Sequence, residues 1–475
     1  MMRRSFDRSF IELYMILIIL SMYITIYVLM NPLDIPGTDF YFLIPFSFVI
    51  CLAFSPQIIS YQTGGFGLKC FYAVVLVRYL LIPYVNCSNT QYGPIKNCSS
   101  SALFYAIMAT CLELIVATVT INKYYQKTLT NKSRSMKFGN VQYYNDLGYG
   151  GMIIIIFIFA VVFFRGHLDA IINNTRIFIV TESYDWDQVW SYEIWAIQTF
   201  FVFFTVTVSS YFQKLNHQHR HWYYIIIPLI VSLIPAMAVL TNNRMTMIYF
   251  ALSGLMVLQS TFPNYKKFLN VTMVTVMLVV IVSFTLLKNW GIDVTADSGE
   301  SISHSDLPST LDGYVCGIFN IAKYWDVYHA KGELFSFITI ISDFFNYTQI
   351  FLLPGLKPEI FAHIPTTIDI ATNGSEMLSL AGQALFWGGD IFGLAFDALF
   401  IFISIRMLIL FEVHTKIEKD LGKKYVYNWL SLLFGMCMCY CLITLWNNST
   451  YIPFFTSICF WINRKFRNSK TPIKK

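Results

Sequence analysis

One charged residue interrupts a long apolar stretch of this 475-residue chain. Between Trp222 and Tyr265 the only charged side chain is Arg244, which follows the turn-forming residues TNN. A guanidinium is permanently charged and presents a planar fork of donors, so it binds phosphate oxygens through paired hydrogen bonds. From the end of a membrane helix it can equally reach lipid headgroups. Arg244 is therefore a candidate for binding a phosphate or diphosphate group.

Further candidate side chains lie in two segments between apolar stretches. Arg165 and Arg176 belong to residues 165–191 and could bind the same anion as Arg244. Residues 288–381 contain four groups that could accept a proton from a hydroxyl: His304, Asp312, His329 and His363. We favour His304 and Asp312, because they lie in the more polar part of that segment. The predicted outer segments contain no histidine cluster, and CMCYC (437–441) has no His or carboxylate nearby, so we expect no metal and no cofactor.

The composition places these residues in a membrane protein. Apolar residues make up 56% of the chain, charged residues 13%, and the mean hydropathy is +0.56. A soluble domain carries about 25% charged residues, so this chain lacks the polar side chains to cover a surface that faces water. The basic start MMRRSFDRSF leads into a long apolar run without a small-residue cleavage site, which predicts a retained first helix.

The length rule of about 20 apolar residues per crossing predicts an all-α polytopic membrane protein with about twelve transmembrane helices in one domain, 1–475. The segment 334–353 is also long enough to cross, but counting it would move the lysines of 416–424 outside. We expect it to lie flat at the membrane surface or to re-enter. The predicted spans are 10–30, 39–58, 70–86, 101–121, 149–165, 192–213, 223–241, 244–260, 268–287, 383–411, 426–446 and 449–463.

The distribution of basic residues predicts the orientation of these spans. With the N-terminus in the cytosol, most of the 33 lysines and arginines lie on the cytosolic side, as the positive-inside rule requires. Both termini are then cytosolic, and residues 165–191 and 288–381 lie outside. The net charge of +6 follows from this topology and does not indicate nucleic-acid binding.

The outer segment 288–381 is too long for a structureless loop. Its part STLDGYVCGIFNIAKYWDVYH places apolar residues on one helical face, with Ser309 or Thr310 as the cap. We expect this helix to rest on the membrane helices as a lid or a substrate platform. The residues of the apolar face are Leu311, Val315, Ile318, Phe319, Ala322 and Trp325.

Two ionisable residues lie at similar depth in neighbouring predicted spans, Arg78 and Glu113. Charged groups inside a membrane are costly and are usually paired, which predicts a structural Arg78–Glu113 ion pair or a role along a substrate path. Asp390 and Asp397 lie seven residues apart and hence on one helical face. This spacing predicts either that the face packs against another helix or that it lines a polar cavity.

Two cysteines, Cys87 and Cys98, lie in a short segment that the topology places outside. A disulfide between them would be natural in an oxidising compartment. The alternative is two separate thiols.

Three features resemble the Wzy-type polymerases, which polymerise lipid-linked oligosaccharide repeat units into O-antigen or capsule. LTNNRMTMIYFAL is similar to that family's Thr-Gly-x-Arg turn, which opens a helix. A large extracytosolic segment follows the next span, and SEMLSLAGQALFWGGDIFGLAFDALF is similar to the glycine-rich segment that comes after it. The chain departs from the arginine-rich loops described for some members, because residues 288–381 contain no arginine.

The resemblance implies a GT-C-like helical bundle in a bacterial cytoplasmic membrane and a metal-independent glycosyl transfer on its outer face. It implies a substrate carried on undecaprenyl diphosphate, whose diphosphate Arg244, Arg165 and Arg176 would bind, and a possible chain-length regulator as partner. The base for the acceptor hydroxyl would be His304, Asp312, His329 or His363. Two other functions remain open: an O-antigen ligase, and a flippase or transporter of lipid-linked saccharide.

Overall fold

The computed structural model describes most of the chain, and the described part is mainly helical, with no strand among these residues. This agrees with the predicted helical class. The described residues are 8–55, 65–88, 98–135, 153, 157, 191–219, 221–237, 244–276, 315–348, 364–367, 370, 378–450, 453, 456, 457 and 461.

Thirteen labelled helices are used below. The first five are α1 (Arg8–Met30), α2 (Leu43–Phe54), α3 (Phe66–Leu76), α4 (Ile82–Ser88) and α5 (Ser100–Ser135); a π-helical turn, Val77–Leu81, joins α3 to α4. The next three are α6 (Ser191–His219), α7 (Ile226–Met237) and α8 (Arg244–Thr261). The last five are α9 (Ile318–Lys331), α10 (Glu333–Tyr347), α11 (Leu380–Gly388), α12 (Ile391–Ile417) and α13 (Leu421–Gly435).

Four segments of the described part are long and apolar enough to cross a membrane, and each overlaps a predicted span. They are Ile11–Met30, Phe66–Ser88, Ser100–Tyr125 and Ile391–Ile417. Leu43–Phe54 and Trp222–Leu233 are shorter apolar helices. Nearly all of the predicted span 149–165 and most of the predicted span 449–463 lie outside the described residues. The structure therefore supports a helical membrane protein, and the number of twelve spans stays a prediction.

The chain forms two compact units. One comprises Met1–Lys137, His304–Lys416 and Ser431–Asn448, and the other comprises Phe138–Ser303, Ile417–Leu430 and Ser449–Lys475. In the first, α1 packs on α2 and α4, and α2 packs on α5. In the second, α6, α7 and α8 pack on one another. The second unit includes Tyr425, whose hydroxyl donates a 2.9 Å hydrogen bond to the carbonyl of Phe250.

The described part of the predicted outer segment 288–381 forms helices in the first unit, as its length and apolar face predict. Helix α9 packs on α5 and α11, and α10 packs on α9 and α11. All the described residues of the predicted apolar face are buried: Val315, Ile318, Phe319, Ala322 and Trp325. The helix begins at Ile318, with Gly317 as its N-cap, rather than at the predicted caps Ser309 and Thr310, which lie outside the described residues.

The predicted span 383–411 is interrupted, so its predicted start is wrong. Helix α11 ends at Gly388, and the amide of Gly389 closes it with a 2.9 Å hydrogen bond to the carbonyl of Leu385. Gly389 has φ +66° and ψ −126°, a sparsely populated backbone region that costs a residue with a side chain about 1–3 kcal/mol. Helix α12 then begins at Ile391. The Gly-Gly pair therefore places Asp390 at the start of a new helix and not inside a span.

The predicted span 426–446 is interrupted as well. Helix α13 ends at Gly435, a 3-10 turn covers Cys437–Cys439, and helix resumes over residues 442–450. Backbone groups left without a helical partner must find another one where no water reaches them. Arg78 Nη1 donates to the carbonyl of Met438 at 3.1 Å, and Gln383 Oε1 accepts from the amides of Leu442 at 2.6 Å and Ile443 at 3.4 Å.

Helix α11 depends on a side-chain cap, and Ser379→Ala tests it. The buried Ser379 Oγ accepts a 3.0 Å hydrogen bond from the amide of Gly382. Removing the oxygen should lower the stability of the purified protein by about 0.5–2 kcal/mol, the usual worth of an N-cap. Thermal unfolding in detergent measures the change, with Ser379→Thr as the control that keeps the oxygen. Equal losses in both variants would contradict the capping role.

Candidate active site

Most of the predicted site residues lie outside the described part of the chain. These residues are Arg165, Arg176, His304, Asp312 and His363. Arg244 is the first residue of α8, as the TNNR turn predicts, and the structure does not describe its side chain. Of the predicted proton acceptors, the structure therefore positions His329.

The predicted ion pair between Arg78 and Glu113 is present. Arg78 Nη2 lies 2.9 Å from Glu113 Oε2, and both side chains are buried. The predicted disulfide is not formed: Cys87 is a free thiol, and the sulfur of Cys98 donates a 3.6 Å hydrogen bond to the carbonyl of Phe319. The Cys98 side chain thus contacts α9.

His329 forms a pair with the carboxylate of Asp390. The His329 Nε2 atom lies 3.2 Å from Asp390 Oδ1, and the two side chains are 43% and 47% exposed. His329 is near the end of α9, and Asp390 directly precedes α12, so two helices of the first unit meet here. An exposed imidazole with a carboxylate neighbour can accept a proton from a bound molecule, and the carboxylate stabilises the resulting cation.

Trp325 orients this pair from one turn earlier on α9. Its indole Nε1–H donates a 2.8 Å hydrogen bond to Asp390 Oδ1, the same oxygen that faces His329. Its ring lies 3.8 Å from the imidazole of His329 and stacks on Tyr105 of α5 at 5.6 Å with an interplanar angle of 17°. Trp325 is buried, so it contacts the His329 imidazole and the Asp390 carboxylate from the protein interior and leaves both groups open to solvent.

Tyr328 and Glu333 extend the site on its other side. The Tyr328 ring packs against Gly389, where a Cβ atom would lie 2.4 Å from its Cε1. Partial burial, and then the neighbouring Glu333 carboxylate, raise the pKa of the Tyr328 hydroxyl. The hydroxyl therefore remains protonated at neutral pH and can donate a hydrogen bond. Together the cluster offers a proton acceptor, carboxylates and aromatic rings, which suits a polar ligand with hydroxyl groups.

Helix α9 is anchored on α5 by a second carboxylate. Asp326 accepts hydrogen bonds from the Ser99 amide at 3.0 Å and from the Ser99 hydroxyl at 2.6 Å. The Ser99 oxygen in turn accepts a 3.2 Å bond from the amide of Ala102 and so caps α5. This contact fixes where α9 lies on the end of α5, and thereby positions Trp325 and His329.

The sequence indicated His329 and Asp390 as separate candidates, but it did not predict the contact between their side chains. The i, i+4 spacing of Trp325 and His329 on an amphipathic helix, together with an aspartate after a Gly-Gly pair, was a usable signal. Within the described part of the chain, no group of three or more His, Cys, Asp or Glu residues could hold a metal ion.

The chain matches no protein-family model, no curated protein sequence and no solved structure. The functional conclusion therefore depends on its own residues and geometry.

Proposed function

We propose that this chain is a metal-independent membrane glycosyltransferase. It polymerises oligosaccharide repeat units carried on undecaprenyl diphosphate, on the outer face of a bacterial cytoplasmic membrane. Both termini lie in the cytosol, and residues 288–381 lie on the outer side with the site built by His329 and Asp390. The product is an O-antigen or a capsular polysaccharide, and a chain-length regulator is a possible partner.

The single observation that carries this proposal is the exposed His329–Asp390 pair. It lies between a helix of the predicted outer segment and the start of a candidate membrane span. A lipid-linked saccharide keeps its carrier in the bilayer and its sugars just outside, so its acceptor hydroxyl would reach this level. The aromatic rings of Trp325 and Tyr328 beside the pair suit packing against a sugar.

In the proposed reaction, the His329 imidazole removes the proton of an acceptor sugar hydroxyl. The oxygen attacks the anomeric carbon of the donor glycan, and the bond from that carbon to the diphosphate oxygen breaks. The proton stays on His329, stabilised by Asp390, and then passes to solvent. Arg244, with Arg165 and Arg176, would stabilise the negative charge that develops on the leaving diphosphate.

A second function is favoured by a separate observation. A helix broken at 436–441, beside the buried ion pair of Arg78 and Glu113, is the kind of element that transporters use at their substrate sites. A flippase of the same lipid-linked saccharide therefore remains the second candidate.

Deletion of the gene followed by electrophoresis of the surface glycan tests these functions. A polymerase predicts single-repeat lipid-linked product without a ladder of longer chains. A flippase predicts no surface repeat at all, and an O-antigen ligase predicts polymer that accumulates on its carrier. Either of the last two results would overturn the proposed polymerase.

Trp325→Phe tests how the site is oriented. Phenylalanine keeps an aromatic ring between Tyr105 and His329 but cannot donate to Asp390. A hydrogen bond to a charged group is worth about 1.5–3 kcal/mol, so we expect chain extension to slow by roughly ten-fold or more. The loss should fall on kcat. An effect on KM alone, in radiolabelled chain-extension assays, would show that Trp325 only contacts substrate.

A further inference from the structure

Three ionisable side chains meet inside the first compact unit, and their charges do not balance. Arg78 of the π-helical turn, Glu113 of α5 and Asp397 of α12 are 3%, 0% and 0% exposed. All three belong to segments that are long and apolar enough to span a membrane. With each group in its usual ionised form, the cluster would carry one surplus negative charge. An uncompensated charge costs several kcal/mol in such surroundings.

Asp397 is the group left over. Arg78 is occupied by Glu113 at 2.9 Å through Nη2 and by the carbonyl of Met438 at 3.1 Å through Nη1. Both carboxyl oxygens of Asp397 are buried and have no hydrogen-bond donor. The Glu113 carboxyl lies within hydrogen-bonding range of Asp397. Two ionised carboxylates repel at that distance because neither has a proton to donate.

The surrounding groups do not supply a second positive charge. The Tyr79 hydroxyl donates to the carbonyl of Thr110 at 2.6 Å, and the amide of Ala381 faces Glu113. The other titratable groups that face the cluster are three thiols. Cys316 lies just before α9, and Cys437 and Cys439 lie in the break that follows α13. Among the described neighbours, Arg78 is thus the cation for two carboxyl groups.

We propose that Glu113 and Asp397 share a single proton, which makes this cluster a proton-binding site within the membrane-spanning part of the chain. The proton comes from solvent and lies between one oxygen of each carboxyl group. It provides the missing donor and leaves Arg78 with one negative partner. Two carboxyl groups that interact at short range take up protons as a pair, so the proton belongs to both residues. The inference does not depend on the proposed polymerase.

The site has a structural consequence for the break between α13 and residues 442–450. Arg78 binds both Glu113 and the carbonyl of Met438, so one guanidinium joins the carboxyl pair to the irregular backbone. Gln383 holds the other side of the same break through its Oε1 atom.

Infrared spectroscopy of the purified full chain in lipid nanodiscs at neutral pH tests the proposal. Exposed carboxylates are ionised there, so a C=O stretching band from a protonated carboxylic acid reports a buried one. We expect the wild-type protein to show this band and both Glu113→Gln and Asp397→Asn to lose it. Each amide removes one carboxyl, so the remaining carboxylate pairs with Arg78 and needs no proton.

Two further variants make the result specific. Asp343→Asn is the matched control, because Asp343 is also fully buried but already accepts hydrogen bonds from the amide and the hydroxyl of Thr367. The band should persist in it. Arg78→Gln should strengthen the band, since both carboxyl groups must then be protonated; where that variant does not fold, the two amide variants decide.

Several outcomes would overturn the proposal. These are no band in the wild-type protein, a band that persists in both amide variants, or a band that Asp343→Asn removes. A band that appears only when choline replaces sodium in the buffer would assign the site to a metal cation instead of a proton.

Discussion

Replacing His329 with glutamine should slow chain extension by about 10²–10⁴-fold, the usual contribution of a positioned general base. Glutamine has a similar size and still forms hydrogen bonds, but it cannot accept and carry a proton. The side chain is 43% exposed, so its replacement should leave the fold intact. The measurement is the rate at which membranes containing the variant extend a lipid-linked repeat unit, with the amount of folded protein quantified in the same membranes.

The matched control is His221→Gln, which changes an exposed histidine of the other compact unit that stacks on Tyr223. It should retain the wild-type rate. A His329→Gln variant that extends chains normally would refute the assigned base.

Hydropathy predicted where the four helices that are long and apolar enough to cross a membrane lie, but it did not predict the interruptions at Gly388–Gly389 and at 436–441. Apolar length is a local property, and it identified the spans around α1, α5 and α12. The break at 436–441 depends on Arg78 and Gln383, which lie far away along the chain and satisfy the released backbone groups. No local pattern in CMCYC indicates those partners. The break at Gly388–Gly389 did have a local signal, because a Gly-Gly pair favours the φ of +66° found there.

The candidate site shows the same division between local and distant information. The apolar face of α9 was predicted from its spacing, because burial of one helical face follows a simple period. The contact between His329 and Asp390 could not be predicted, since it depends on how α9 lies on α5 and on where α12 begins. Polarity of the chain favoured His304 and Asp312, and that preference stays a prediction. Depth in the membrane, by contrast, was enough to pair Arg78 with Glu113.

The largest loss of stability is expected from Gly67→Ala, near the start of α3. A Cβ atom at Gly67 would lie 2.3 Å from the carbonyl oxygen of Ser431, and one at Gly435 would lie 2.4 Å from the carbonyl oxygen of Gly67. Two backbones meet here, so no side chain can rotate away. The amide of Leu68 also donates a 3.2 Å hydrogen bond to the buried Glu412, which moving α3 would disturb.

Overpacking in a tight interior costs about 1–3 kcal/mol of stability and occasionally more. Because Gly67→Ala should also weaken the hydrogen bond to Glu412, we expect its loss of stability to lie at or above the upper end of that range. Thermal unfolding in detergent at a fixed scan rate measures the effect, and Gly435→Ala should reproduce it from the opposite backbone.

The control is Gly382→Ala in α11. Its Cβ would meet only side-chain atoms at 3.0–3.3 Å, which can shift by a few tenths of an ångström. Alanine also favours a helix over glycine by about 1 kcal/mol, so this control should be nearly neutral. Equal losses at Gly67 and Gly382 would mean that the close approach of α3 and α13 does not limit stability.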